Sequence, residues 1–405
     1  MIDCLQPGDA SPISEQRPAP LDCRVVLLTH YIPLYQVRVF QQIAAAVRDF
    51  HVLLSTPLEP NRNFEPDWGG LDCRVQKNLT LRRRWIDRGS GFQDQLYVHL
   101  PYDTLAQLRR LNPDVVLSLE LGARSMAAAL HRKLHRRSRL VLCTYMSQHT
   151  ERSRGWARRM IRRPLLRSAD AVTYNGPSCQ SYLRSQGVPE PRLFHLPYAA
   201  DDRTMYRGPL ERDERRVRPL LVSVGQLSER KGLLPLVEQL SRYASRRPQQ
   251  RIELLLAGEG PLRDAIANVA RPANFILEMP GNVPAAKLAE RMASRGVAVL
   301  PTLADEWLLV VNEAMQAGLP VIGSRYAQAV ETLVEQGVNG WRYDPLQPAS
   351  LDAVLDQYFA ADDQQLAAMR DAARKRVASR TPAWAARGAI EAIRYVQQNF
   401  QGARE

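Results

Sequence analysis

Residues 304–324 read ADEWLLVVNEAMQAGLPVIGS, and a short apolar strand pattern, GVAVLPT, precedes them at 296–302. Asp305 and Glu313 stand eight positions apart around an apolar run, with Gly318 and Pro320 behind them. Glycine followed by proline is a strong helix stop, which predicts a helix from about Leu308 to Ala317. Asp305 then lies at the helix start and Glu313 inside it. Eight helical residues span about 12 Å, too far for two carboxylates to share a proton. The spacing suits an extended ligand that meets one acid at each end. Between the acids, the helix start offers N–H groups and partial positive charge to a phosphate. On spacing alone, the commoner arrangement is Asp305 as an N-cap and Glu313 as a solvated helix residue; the surrounding sequence reverses that order.

The surroundings of this stretch repeat one pattern. Strands are predicted at PLLVSVGQL, RIELLLAG, FILEMPG, GVAVLPT and PVIGS, each followed by a helical segment. The first half reads likewise: strands at CRVVLLTH, FHVLLST, DVVLSLE, RLVLCTY, DAVTYN and RLFHLPYA, with helices at LYQVRVFQQIAAAV, LAQLRRL and RSMAAALHRKL. An irregular basic segment interrupts the series after FHVLLST. Such alternation argues for parallel α/β sheets. The charged, Pro-containing stretch over 201–217 reads as a linker between two units. The division predicted is a polar tail over 1–22, units over 23–200 and 218–380, and a C-terminal helix over 381–405 that packs back on the first unit. Two doubly wound units leave a cleft where the carboxyl ends of both sheets face a ligand.

The stretch DEWLLVVNEAMQAGLPVIGS resembles the E-x7-E signature of retaining GT-B glycosyltransferases, in particular glycosyltransferase family 4. Asp305 occupies the first acid position with Glu306 beside it, and Leu308 stands where such proteins usually carry Gly. VSVGQLSERKGL resembles the family's strand–turn–helix with a phosphate-binding Arg and Lys. There Lys231 matches the lysine, Gln226 replaces the arginine, and Arg230 is placed to substitute for its charge. AGEGPLRD resembles the Gly-x-Gly-Pro turn, with Gly258 and Gly260 as turn formers; it lacks the third glycine of a dinucleotide fingerprint. AVETLVEQGVNGWRYDP resembles the segment after the signature, with Ala327 and Gln328 in the turn and Glu331 at the acid.

The resemblance implies two Rossmann-like α/β domains facing across a cleft, and transfer of a sugar from a nucleotide-diphospho-sugar to an acceptor hydroxyl with retention. It implies donor contacts from Gly225, Gln226, Arg230, Lys231, Glu306, Leu308, Leu309 and Glu313. Asp305 would orient the sugar, Glu313 the ribose, and Lys231 the leaving diphosphate. The first strand-to-helix loop, LTHYIPLYQVRVF, implies acceptor contacts from His30, Tyr31, Tyr35 and Arg38, although the family's usual Gly-Gly is absent there. His149 follows a strand where many members carry a cleft histidine. Glu120 also stands at a strand end. No DxD metal motif is present, and no cofactor is implied beyond the nucleotide-sugar substrate. Cell-envelope polysaccharide, lipopolysaccharide or glycolipid synthesis fits such an enzyme. The alternative is a GT-B-like binding or scaffold protein without activity, motivated by Gln226, Leu308 and the missing glycines. An epimerase or phosphorylase of the same architecture is a further rival, but the cofactor lysine motif of such a phosphorylase is not found.

Composition adds a partner class. The 405 residues carry 55 Lys+Arg against 42 Asp+Glu, a formal charge of +13. That excess points to phosphate, anionic lipid or nucleic acid. Residues 131–167 hold twelve Lys/Arg against one acid, Glu151. The part RSRGWARRMIRRPLLR, 152–167, mixes arginines with Trp156, Met160, Ile161, Leu165 and Leu166. It reads as a helix that either lies on an anionic membrane or packs its apolar side on the domain. No nucleic-acid motif accompanies the charge. Five scattered cysteines fit neither a disulfide framework nor a zinc site. With an acidic, Pro-containing start and no membrane-spanning run, the expected setting is cytoplasmic, with peripheral contact to the inner membrane face through residues 152–167 and a glycan or lipid-linked acceptor as a further partner.

Overall fold

A computed structural model describes the backbone of residues 19–401 except 61, 63, 88–90, 147 and 152–155; side chains at 149, 156–159, 161, 400 and 401 also lie outside the description. The first unit threads strands β1 (Leu21–Thr29), β2 (Val47–Leu54) and β3 (Asp72–Val75), then β4 (Asn78–Ile86) and β5 (Gln93–Pro101). It continues through β6 (Val115–Leu119), β7 (Arg139–Cys143), β8 (Ala171–Tyr174) and β9 (Leu193–His195). Seven of these form a parallel sheet in the order β3-β2-β1-β6-β7-β8-β9. The second unit threads β10 (Leu220–Val224), β11 (Ile252–Ala257), β12 (Phe275–Gly281), β13 (Val297–Leu300), β14 (Val321–Ser324) and β15 (Gly340–Tyr343). Its order is β12-β11-β10-β13-β14-β15, again parallel. In both sheets the strand order reverses beside the first strand, at β1/β6 and β10/β13. The carboxyl ends of those strands are where a doubly wound sheet leaves a crevice.

The continuous apolar runs follow from burial on both sheet faces. Val25, Leu27, Val115, Leu117 and Val141 form one core, and Leu221, Leu254, Leu256, Val297 and Ile322 the other. The helix Pro382–Gln401 lies on the first unit's core, burying Ala385, Ala386, Ala389, Ala392, Ile393 and Val396. Small residues permit this approach: a Cβ on Gly388 would sit 1.8 Å from the His195 carbonyl oxygen. The connecting stretch 201–217 ends in the helix Glu214–Val217, whose buried Glu214 carboxylate lies 3.6 Å from Arg370 of the second unit.

Two sequence expectations need correction. Residues 1–18 of the tail lie outside the description, and Leu21 and Asp22 already belong to β1. The irregular basic segment holds β3 and the antiparallel ribbon β4–β5. The ribbon escapes a core-based reading because its strand NLTLRRRWI is almost wholly exposed, so it has no apolar face to announce it.

Candidate active site

The strand ends open on a cleft of about 740 Å³ between the two units. That lies within the roughly 300–1,000 Å³ of small-molecule sites. His30 follows β1 and Glu120 follows β6 on one wall; Gly225 follows β10 and Asp305 comes five residues after β13 on the other.

On the second unit's wall, two backbone turns are pressed together. Gly258, at φ +138°, has no room for a Cβ, which would fall 2.0 Å from the Gly225 carbonyl oxygen. The chain then makes a 3-10 turn, Glu229–Lys231, stopped by Gly232 in the left-handed region at φ +66°. This turn aims Lys231 into the cleft, where its Nζ donates to Asp305 Oδ2 at 2.5 Å. Arg230 donates through Nε to Asp94 Oδ2 at 2.6 Å and through Nη1 to the Ala304 carbonyl at 3.1 Å. It also approaches Asp305 Oδ2 at 3.4 Å. Burial alone would raise the Asp305 carboxyl, but the Lys231 and Arg230 charges outweigh it and hold it at about 2. Burial pulls Lys231 below the usual lysine range, with Asp305 opposing. Two cations thus face two carboxylates, one from each unit.

This places Asp305 differently from the expectation that it receives sugar hydroxyls: its carboxylate is occupied by Lys231, Arg230 and the Trp307 N–H at 3.2 Å. The exposed acid bordering the cleft at this point is Glu306. Its carbonyl is pinned by Gln328 Nε2 at 2.6 Å and Asn175 Nδ2 at 3.0 Å, which ties the two units together. The helix begins at Val310, two residues later than predicted, and ends at Gln316. Leu308 causes the delay by adopting φ +76°, a conformation natural to the Gly it replaces. Leu308 borders the cleft but is only 5% exposed, sharing an apolar cluster with Trp307 and Val311. Among the described residues, the N–H groups of Leu308, Leu309 and Val310 have no hydrogen-bond acceptor. Glu313 is half-buried and outside the cleft lining; its carboxylate has no hydrogen bond or ion pair among the described residues, and burial pushes it up to about 7. Gln226 borders the cleft.

On the first unit's wall, His30, Tyr31 and Tyr35 border the cleft, whereas Arg38 does not. Arg38 is drawn to Asp202 at 3.1 Å, in the connection between units. The backbone of His149 lies in the short helix Gln148–Glu151; its side chain lies outside the described residues. Of the helix at 152–167, described as Trp156–Ser168, Leu165 and Leu166 point into the core while Met160, Arg163 and Arg167 are exposed.

Several groups in the cleft escape a motif reading. Glu120 takes φ +67° and receives Arg124 Nη2 at 3.0 Å, while Arg124 is itself buried and donates to Ser55 Oγ at 2.9 Å. The Glu120 side chain remains 54% exposed, 3.8 Å from His30 Nδ1. His99 Nε2 faces Glu59 at 3.5 Å across the same wall. Asp94 and His99 come from the ribbon, which the sequence did not announce. For Glu120 the signal was its place directly after a buried strand.

Comparison with known proteins follows the same division. Residues 35–199 match a family model described as glycosyl transferase 4-like domain, and residues 218–359 one described as glycosyl transferases group 1. Sulfoquinovosyl transferase SQD2 of Arabidopsis thaliana is 30% identical over 132 residues, 32% of this chain and 24% of that protein. The putative colanic acid biosynthesis glycosyltransferase WcaL of Salmonella typhimurium is 25% identical over 166 residues, 39% of this chain and 40% of that protein. The matches thus span less than half the length of either relative. Among solved structures, Anabaena HepE in complex with UDP superposes with a TM-score of 0.68 at 16% identity, covering 91% of this chain and 99% of that one. At that identity the likeness is one of fold.

Proposed function

The chain belongs to the GT-B glycosyltransferases of the family 4, group 1 type, and from that membership we propose that it moves a sugar from a nucleotide-diphospho-sugar to an acceptor hydroxyl with retention. The observation that supports this reading is that Lys231, Arg230 and residues 308–310, whose N–H groups have no acceptor among the described residues, line one cleft at the β10/β13 strand ends. A diphosphate bound there receives both cations and oriented backbone dipoles. Glu306 meets the sugar hydroxyls, and Glu313, one turn deeper, accepts from the ribose. Asp305 is a positioning residue that holds Lys231 and Arg230 on the phosphate side. Glu120 and His30 receive the acceptor hydroxyl on the opposite wall, with Tyr31 and Tyr35 as its apolar flank.

In the transfer, the bond from the anomeric carbon to the diphosphate oxygen breaks while the acceptor oxygen bonds to that carbon on the same face. The acceptor's proton passes to the departing phosphate, whose growing charge Lys231 and Arg230 stabilise. UDP is the first nucleotide to test, since HepE was solved with it. Cell-envelope polysaccharide, lipopolysaccharide or a glycolipid is the acceptor class proposed, with WcaL's colanic acid role in support of the first.

The test is release of nucleoside diphosphate by the purified protein from a panel of UDP-, GDP-, ADP- and dTDP-sugars, with and without glycan acceptors. One donor should be consumed, and Glu313→Ala should abolish consumption. A binding protein without transfer activity is the second reading, favoured by the left-handed Leu308 and by two carboxylates already neutralising the cations. Ligand-induced stabilisation without turnover would select it.

A further inference from the structure

Three helices of the first unit lie side by side, with Ala123–Leu134 packed against both Thr104–Leu111 and Trp156–Ser168. None of the three contains Asp or Glu. The middle helix turns Arg124, Ser125, Ala128 and His131 inward. It leaves Met126 57%, Leu130 44% and Leu134 53% exposed. At spacings of four, these side chains form one stripe down the helix.

A solvated helix normally shows water its charged face and hides its apolar one. Here the polar residues Arg124, Ser125 and His131 go inside and the large apolar ones stay out. The neighbours frame the stripe with positive charge. Lys133, Arg136 and Arg137 are exposed at the helix end, Arg109 and Arg110 on one flanking helix, and Arg163 and Arg167 on the other. Met160, 63% exposed, shares a face with Arg163 and Arg167 by helical spacing.

Isolated exposed hydrophobics are ordinary, but an aligned stripe on the middle of three adjoining helices that carry cations and no acids marks a contact surface. Nucleic acid would use the cations and leave the Leu and Met side chains without a role. An anionic bilayer uses both: headgroups meet the cations and the acyl boundary receives the stripe. We propose that this face of the first unit rests on an anionic membrane surface, with Met126, Leu130 and Leu134 below the headgroups. The apolar contact comes from 123–134, while Trp156–Ser168 contributes exposed arginines and keeps Leu165 and Leu166 in the core.

The test is sedimentation with vesicles of phosphatidylcholine plus phosphatidylglycerol, against phosphatidylcholine alone, using the full chain. The wild type should bind the anionic vesicles only. Met126→Asn/Leu130→Asn/Leu134→Asn should lower partitioning at least about tenfold. Lys133→Glu/Arg136→Glu/Arg137→Glu should lower it as well. Because every substituted residue is exposed, the variants should keep the wild-type melting temperature; Leu134→Asn alone serves if the triple variant does not. Donor consumption in solution should be the same in wild type and variants, which keeps this inference separate from the proposed activity. Absence of wild-type binding to anionic vesicles would overturn it. So would full binding by the triple Asn variant, or tight binding of a DNA duplex that ignores the stripe.

Discussion

The Asp305 carboxylate and the Lys231 ammonium are 2.5 Å apart, so the first acid of the signature is spent on the lysine that the signature's neighbour supplies. Each is about 15% exposed, at 15% and 16%. Removing either partner strands the other, with Arg230 the remaining counter-charge for Asp305.

The first prediction concerns acid stability. Asp305 is held at about 2 against a usual 3.8, so its contribution is complete above about pH 4 and fades as pH falls through 2. Asp305→Asn should cost about 2 kcal/mol at pH 7. Melting curves of wild type and variant should converge as pH drops from neutral toward 2. An undiminished gap at low pH would show that the pair is not the source.

Glu313 gives the opposite sign. Its carboxyl is raised from 4.5 to about 7 by burial, so folding favours the protonated form and stability declines as pH rises between those values. Glu313→Gln should therefore raise the melting temperature at pH 8, by about 1–3 kcal/mol in stability, and have little effect near pH 4. Donor binding should respond inversely. If ionised Glu313 accepts from ribose hydroxyls, wild-type affinity should improve as pH rises through about 7, and the Gln variant should lose both affinity and that dependence.

Leu308→Gly separates strain from packing. The glycine relieves a left-handed backbone worth about 1–2 kcal/mol, yet removes a buried side chain worth about 2–5 kcal/mol. The variant should melt lower by about 1–3 kcal/mol. Nucleoside diphosphate should still stabilise it as much as the wild type or more, because the backbone near residues 308–310 becomes easier to approach. A loss of ligand stabilisation would mean that the Leu308 side chain supports the site.

Asp94 tests the bridge between units. Its carboxylate neutralises Arg230 from the ribbon β4–β5, and Gln93 N–H donates to Glu229 Oε2 at 2.8 Å beside it. Asp94→Asn removes a like charge from the phosphate's neighbourhood and should tighten nucleoside diphosphate binding by about tenfold, read by titration calorimetry. Weaker binding would show instead that Asp94 holds Arg230 in its productive place.

Both sheets were legible because buried parallel strands are nearly continuous apolar runs, and VVLLT, VVLSL and VAVL declare themselves. The cleft wall that carries Lys231 was legible because Lys231 and Gly232 sit where a strand turns into a helix. What stayed hidden depends on distance in sequence. Nothing near Asp94 indicates Arg230, 136 residues later. Nor does the signature reveal that Asp305 turns toward Lys231 while Glu306 faces the cleft. Arg38 shows the converse, a residue on the right loop captured by Asp202. Gln328, read only as a turn residue, proves to bridge both units through Asn175 and the Cys179 N–H.

The most direct measurement is a crystal structure with the nucleoside diphosphate that most raises the melting temperature. The account predicts the diphosphate within hydrogen-bond distance of Lys231 Nζ and of the N–H groups at 308–310, with ribose toward Glu313. A nucleotide bound elsewhere, with the Lys231–Asp305 contact unchanged and those N–H groups empty, would contradict it.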